Sequence, residues 1–176
     1  MLHVTTHGNH QHLLAAFAAL QTVLPKNFKM TDDFGQPFKI TDGGKCTVVC
    51  NAAGWVAQHP HFKSLGLKFG ETQFGSAKKV MPTFKTDAGG MAYGYNALAY
   101  ALGADLGTVN QLFSPHFYPT GEATTIEDVL KRLKGAIAKA GGADQLKAHL
   151  NAQKPKKVVE KPKKSAKKSK KKAKKG

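Results

Sequence analysis

The sequence has almost no arginine. Of its 27 basic residues, only Arg132 is an arginine and the others are lysines. Arginine is the side chain best suited to paired hydrogen bonds with base edges and to stacking on bases, so its scarcity argues against sequence-specific recognition of nucleic acid. Lysine instead supports contact with phosphates whatever the base sequence.

Cysteines and long apolar runs are also scarce. Only Cys46 and Cys50 occur in 176 residues, which favours a reducing compartment over a disulfide-linked secreted domain. No run approaches the roughly 18 apolar residues of a membrane span. The first residues, MLHVTTHGNHQHLL, lack the basic region of a secretory signal. We therefore expect a cytoplasmic protein with no membrane partner.

Acidic and aromatic residues are nearly missing from the C-terminal segment. The last 23 residues contain thirteen lysines, one glutamate and no aromatic residue, a net charge of +12 out of the chain's +16. Such a segment buries too little apolar surface to offset the entropy of ordering, so we predict that it is disordered. We expect one globular domain at 1–150 and a disordered lysine-rich tail at 151–176.

The tail predicts a class of partner. A dense polycation releases counterions when it neutralises a polyanion, and nucleic acid is the commonest polyanion in cells. We expect nucleic acid to be the partner, with DNA favoured over RNA. The predicted phosphate-binding residues are Lys154, Lys156, Lys157, Lys161, Lys163, Lys164, Lys167, Lys168, Lys170, Lys171, Lys172, Lys174 and Lys175.

Apolar spacing in residues 1–150 predicts a mainly α fold, a single small helical domain with irregular loops. Asn9 is the predicted N-cap of one helix, and Thr124 or Thr125 is that of another. Gly103 is a predicted C-cap. A short hairpin or a plain loop is expected near 65–84, and irregular loops at 26–45 and 60–90. Helices are predicted at about 9–24, 46–58, 91–102, 105–113, 124–140 and 143–150.

Two cysteines and two histidines form a weak candidate metal site. In a helix, Cys46 and Cys50 would stand one turn apart, and His59 and His61 follow closely, so a Cys2His2 zinc site is conceivable. The histidines flank Pro60 at a spacing unlike that of zinc fingers, however, and cysteines beside Val and Ala pack well in a core. We therefore predict buried structural thiols, no metal and no cofactor. A redox or nucleophilic cysteine stays open as an alternative.

Aromatic side chains can stack on bases only when they are exposed. Trp55 lies in an apolar segment, and we predict that it is a core anchor packed on the loop from Phe28 to Phe38. Tyr95 is also predicted to be a core residue, whereas the position of Tyr93 stays open. We therefore expect no stacking role for Trp55 or Tyr95.

Several motifs resemble those of a known family. They are an LP..F.M turn (Leu24, Pro25, Phe28, Met30), a C(G)TxxCxxGW segment (Cys46, Thr47, Cys50, Gly54, Trp55), a GL loop (Leu65, Gly66, Leu67) and a closing pattern (Leu112, Phe113, Tyr118, 125–137). Over roughly residues 10–138 they resemble a family of small uncharacterised proteins of bacteriophages and bacteria. The resemblance implies a phage-encoded protein, placed in the host cytoplasm, nucleoid or virion, and implies no activity. The glycine of the family's Cys-Gly-Thr is missing here, and the tail resembles those of linker histones in composition.

We expect this chain to be a nonenzymatic, sequence-nonspecific DNA-binding accessory protein. One alternative is a protein-interaction module that acts on a host or virion protein, with the tail serving solubility or contact with RNA or ribosomes. Another is a small zinc-dependent enzyme. Both alternatives stay open on the sequence alone.

Overall fold

A computed structural model describes residues 8–40 and 46–153. Within these ranges the chain forms seven α-helices and five strands, so the fold is mainly α with a minor β component. The helices are α1 (His10–Gln21), α2 (Ala52–Gln58), α3 (Pro60–Ser64), α4 (Gly94–Leu102), α5 (Leu106–Phe113), α6 (Ile126–Lys139) and α7 (Ala143–Ala152). The strands are β1 (Gly35–Ile40), β2 (Cys46–Cys50), β3 (Lys68–Phe74), β4 (Ala77–Lys85) and β5 (Met91–Tyr93).

Side-chain caps define several helix starts, as the sequence predicts. The Asn9 side chain accepts a hydrogen bond from the backbone of Gln11 at the start of α1. Thr125 and Asp128 form a reciprocal capping box at the start of α6. Gly103 ends α4 in the left-handed conformation, with φ of 62°. The three helices are therefore found where they were predicted, although α1 ends at Gln21 and α4 starts only at Gly94.

The predicted helix over residues 46–58 is wrong in its first part. Residues Cys46–Cys50 form β2, which pairs with β1 in antiparallel orientation, and only Ala52–Gln58 are helical. The run Thr-Val-Val is β-branched, and such side chains favour a strand when a partner strand is present. The partner lies in the segment predicted to be an irregular loop.

The hairpin, one of two possibilities for residues 65–84, is confirmed. β3 and β4 pair in register from Lys68 opposite Thr83 to Phe74 opposite Ala77. β5 adds a third antiparallel strand where the sequence predicted the first turn of a helix. The start of α4 is therefore delayed to Gly94.

One hydrophobic core connects the described elements. α1 packs against α6, α4 packs on β4, and α2 contacts α1 and the three-stranded sheet. The largest completely buried side chains are Phe17, Phe62 and Phe113, which belong to α1, α3 and α5. No helix among the described residues is both long and apolar enough to cross a membrane.

Candidate nucleic-acid interface

The lysines predicted to bind phosphate lie outside the described residues, which end at Gln153. α7 continues to Ala152, two residues into the segment predicted to be the tail, and Gln153 directly precedes Lys154, the first lysine of that segment. Gln21 Nε2 donates to Gln153 Oε1 at 3.0 Å, and His149 Nε2 lies 2.8 Å from Gln21 Oε1. These contacts attach the last turn of α7 to the end of α1.

A further lysine lies near this point. The His149 ring meets Phe17 edge-on with 6.0 Å between the ring centroids. Lys134 Nζ lies 5.7 Å from the centroid of the same Phe17 ring. The folded domain therefore places at least one cation of α6 close to the start of the tail.

The weak zinc candidates are not arranged as the sequence hypothesis required. Because Cys46 and Cys50 lie four residues apart on a strand, their backbones are separated by about 13 Å along β2. The hypothesis assumed a single helical turn. Among the described residues, no group of three or more His, Cys, Asp and Glu side chains is placed to bind one metal ion.

Cys50 has the environment of a structural thiol. It is buried, and its Sγ accepts a hydrogen bond from Gln58 Nε2 at 3.3 Å. Burial raises the pKa of the Cys50 thiol to about 11, although the hydrogen bond from Gln58 acts in the opposite direction. A thiol with this pKa stays protonated at neutral pH, whereas the thiolate is the form that attacks substrates or binds metals.

The other two candidates, His59 and His61, lie close to a histidine that the sequence analysis did not connect with them. His12 Nδ1 lies 2.9 Å from His61 Nε2, and the His59 Nδ1 atom accepts a hydrogen bond from the His61 backbone at 3.4 Å. Burial, followed by repulsion from His61, lowers the pKa of both His12 and His59. The three imidazoles therefore form a cluster in which protonation of His12 and His59 is disfavoured.

Trp55 and Tyr95 face the core, as predicted. Trp55 is half-buried against the core and donates from Nε1 to the carbonyl oxygen of Asn27 at 3.1 Å. The Tyr95 hydroxyl donates to the carbonyl oxygen of Phe113 at 3.2 Å. Burial raises the pKa of Tyr95 to about 12. Both side chains are partly buried against the core rather than exposed.

Arg132, the single arginine of the chain, lies on α6 and contacts α5 and the segment that follows α5. Its guanidinium carbon lies 3.6 Å from the centroid of the Tyr118 ring. Its Nη2 donates to the carbonyl oxygen of Phe117 at 2.6 Å, and its Nη1 donates to that of Gln111. The Tyr118 hydroxyl in turn donates to Leu112 at 2.6 Å. These partners of Arg132 are carbonyls and a ring, and a neighbouring carboxylate is Asp128, whose pKa is lowered by hydrogen bonds from Thr125 and in part by the charge of Arg132.

A cleft of about 650 Å³ lies between α5 and α6 beside this arginine. We call it the α5–α6 cleft. It has both apolar and cationic walls. Its lining residues are Thr108, Gln111, Leu112, Phe117, Arg132, Gly135, Ala136 and Lys139.

Sequence reasoning missed Phe117. Its side chain is 48% exposed, which is unusual for a phenylalanine, and it borders the cleft. A usable signal was the segment SPHFYP, in which two prolines fix the backbone around an aromatic residue.

In comparisons with protein-family models, curated proteins and solved structures, nothing matches this chain.

Proposed function

We propose that this protein is a nonenzymatic DNA-binding accessory protein that binds phosphates without regard to base sequence, through its C-terminal lysines. The observation that carries the proposal is the concentration of thirteen lysines and one glutamate in residues 154–176. Lysines at this density neutralise phosphates and release counterions, which provides affinity without base contacts. A phage origin remains part of the proposal and rests on the motif resemblance.

The charge distribution of the rest of the chain supports a division of labour. Residues 1–153 contain 14 basic and 10 acidic residues, so most of the positive charge lies beyond α7. The contacts of Gln21 with His149 and Gln153 attach the start of the tail to the folded domain. A cationic segment that starts from a fixed point is suited to hold the domain on DNA.

The salt dependence of binding tests this function. If about half of the tail lysines contact phosphates, the slope of log affinity against log salt concentration for duplex DNA is expected to be near −6. Replacing the thirteen tail lysines with glutamine should remove most of that slope and most of the affinity. Fluorescence anisotropy with a labelled duplex, measured at several salt concentrations, provides both quantities.

A scrambled tail is the matched control. It keeps length, composition and charge, so the slope and the affinity are expected to remain. Unchanged binding by the glutamine variant would overturn the proposal. The alternative is a protein-interaction module acting on a host or virion protein. It would be supported if neither variant bound DNA and both captured the same proteins equally well from a nuclease-treated lysate.

A further inference from the structure

The α5–α6 cleft has a size and position that the tail does not explain. Its volume of about 650 Å³ falls within the range of pockets that hold small organic groups. A second recess of about 470 Å³, lined partly by Tyr118, Thr120 and Lys131, lies on the other side of Arg132. Arg132 lines both, so a continuous surface follows α6.

Phe117 presents an aromatic ring at the edge of the cleft. Its backbone is held by the hydrogen bond from Arg132 and by the short 3-10 helix Pro115–Phe117. The ring is therefore mounted on a fixed backbone while about half of its surface faces solvent. A base can stack on such a ring regardless of its identity, with a typical contribution of about 1–3 kcal/mol.

The charge around the cleft is mainly positive. Lys139 and Arg132 line the cleft, and Lys131 lines the adjacent recess. Lys131 and Lys139 are exposed and lie eight residues apart on α6, a rise of about 12 Å. Asp128, the carboxylate of the recess, accepts hydrogen bonds from Thr125 and also interacts with the charges of Lys131 and Arg132. The three cations and this carboxylate give the cleft and the recess a net charge of +2. The surface complements a chain of phosphates.

Gly135 lines the cleft without a side chain. It lies inside α6, where glycine costs roughly 1 kcal/mol relative to alanine. A Cβ atom at this position would meet nothing within 4 Å, so packing does not require glycine here. A residue with a side chain would instead project into the cleft.

We propose that the α5–α6 cleft binds a segment of single-stranded nucleic acid, with one base stacked on Phe117 and the adjoining phosphates on Lys139 and Lys131. A base inside a duplex is already stacked on its neighbours and cannot reach this ring, which restricts the cleft to unpaired strands. The inference rests on the proposed function, because the tail recruits the polymer whose unpaired bases the cleft binds.

The test uses the full chain and two labelled ligands, an oligothymidylate and a duplex of equal length, in about 0.3 M KCl to weaken the contribution of the tail. Phe117→Ala is expected to weaken binding of the single strand about tenfold or more and that of the duplex less than twofold. Phe117→Trp should keep the affinity for the single strand. Lys139→Gln should also weaken binding of the single strand.

Leu24→Ala is the matched control, because Leu24 is also an exposed apolar residue but does not line the cleft. It should bind like the unchanged protein. Thermal unfolding of every variant, followed by circular dichroism, checks that the fold is kept. Ultraviolet crosslinking of the oligothymidylate should label the peptide that contains Phe117.

Equal affinity of the Phe117→Ala variant for the single strand would overturn the inference, as would an equal loss for both ligands. Neither result affects the proposed function, which depends on the tail variants. Thymidine mononucleotide is tested as a competitor of the labelled oligothymidylate. Competition at micromolar concentration would indicate that the cleft is a site for free nucleotides instead.

Discussion

At the scale of single residues, the histidine cluster has a clear chemical consequence. A hydrogen bond between His12 Nδ1 and His61 Nε2 requires that one nitrogen carries a proton and the other does not. When both imidazoles are protonated, two N–H groups with like charge face each other. The ring centroids are 5.1 Å apart, so the repulsion acts at short range.

The cluster predicts a loss of stability at acidic pH. Burial, followed by repulsion from His61, lowers the pKa of His12 in the folded state, so the unfolded chain binds this proton more readily. The contribution of His12 is therefore complete above about pH 6.5 and is lost as the pH falls through the lowered pKa. Urea unfolding between about pH 8 and pH 5 should show a smaller decline for His12→Gln.

His10→Gln is the control, because it removes an imidazole of the same helix that is not hydrogen-bonded to His61. It should leave the decline unchanged. A proton NMR titration that places the pKa of His12 at or above about 6.5 would contradict this account.

Two glycines provide a matched pair for a prediction on packing. A Cβ atom on Gly54 would overlap the carbonyl oxygen of Phe34 and lie 3.1 Å from Cys50 Cβ, whereas one on Gly135 would meet nothing within 4 Å. Gly54→Ala should therefore lower the free energy of unfolding by about 3 kcal/mol. Gly135→Ala should raise it by up to about 1 kcal/mol. Urea unfolding measures both, and similar values for the two variants would argue against the close packing of α2 on the backbone of Phe34.

At the scale of elements, caps explain why the helix positions were predictable. Asn9, Asp105 and Thr125 each accept a hydrogen bond from a backbone N–H of the first helical turn. These bonds connect residues two or three positions apart, so the sequence contains all of their parts. The strand β2 was not predictable in this way, because it forms by pairing with β1. The sequence of β1, taken by itself, is typical of a loop.

The capping box of α6 supports a quantitative prediction. Thr125 Oγ1 accepts from the Asp128 backbone at 3.3 Å, and Asp128 Oδ2 accepts from the Thr125 backbone at 3.0 Å. Hydrogen bonds from Thr125 lower the pKa of Asp128. Thr125→Ala should lower the free energy of unfolding by about 1 kcal/mol in urea.

Lys131→Gln, at an exposed position of α6 six residues after Thr125, is the control for this variant. It should change the free energy of unfolding by less than about 0.5 kcal/mol. The effect of Thr125→Ala should also shrink as the pH falls through the lowered pKa of Asp128, because the protonated carboxyl is a weaker acceptor. An effect that stays constant down to about pH 2 would show that the box does not depend on the carboxylate.

At the scale of the whole molecule, most of the positive charge and the α5–α6 cleft belong to different parts of the chain. Residues beyond Gln153, with thirteen lysines and one glutamate, carry +12 of the +16 net charge, while the folded part contains the α5–α6 cleft with its single arginine and exposed phenylalanine. In the two proposals, the tail provides affinity for any polyanion and the cleft adds a preference for unpaired bases. The tail and cleft variants measure these two contributions separately.

The amino-acid sequence by itself determined the tail composition, the capped helices and the mainly α character, because each depends on residues close together in the chain. The tertiary structure decided what distant residues do. Arg132 bonds to carbonyl groups 15 and 21 positions earlier, and His12 meets a histidine 49 positions later. Such contacts exist only after α6 has packed on α5 and α3 has folded back near α1, so no local pattern records them.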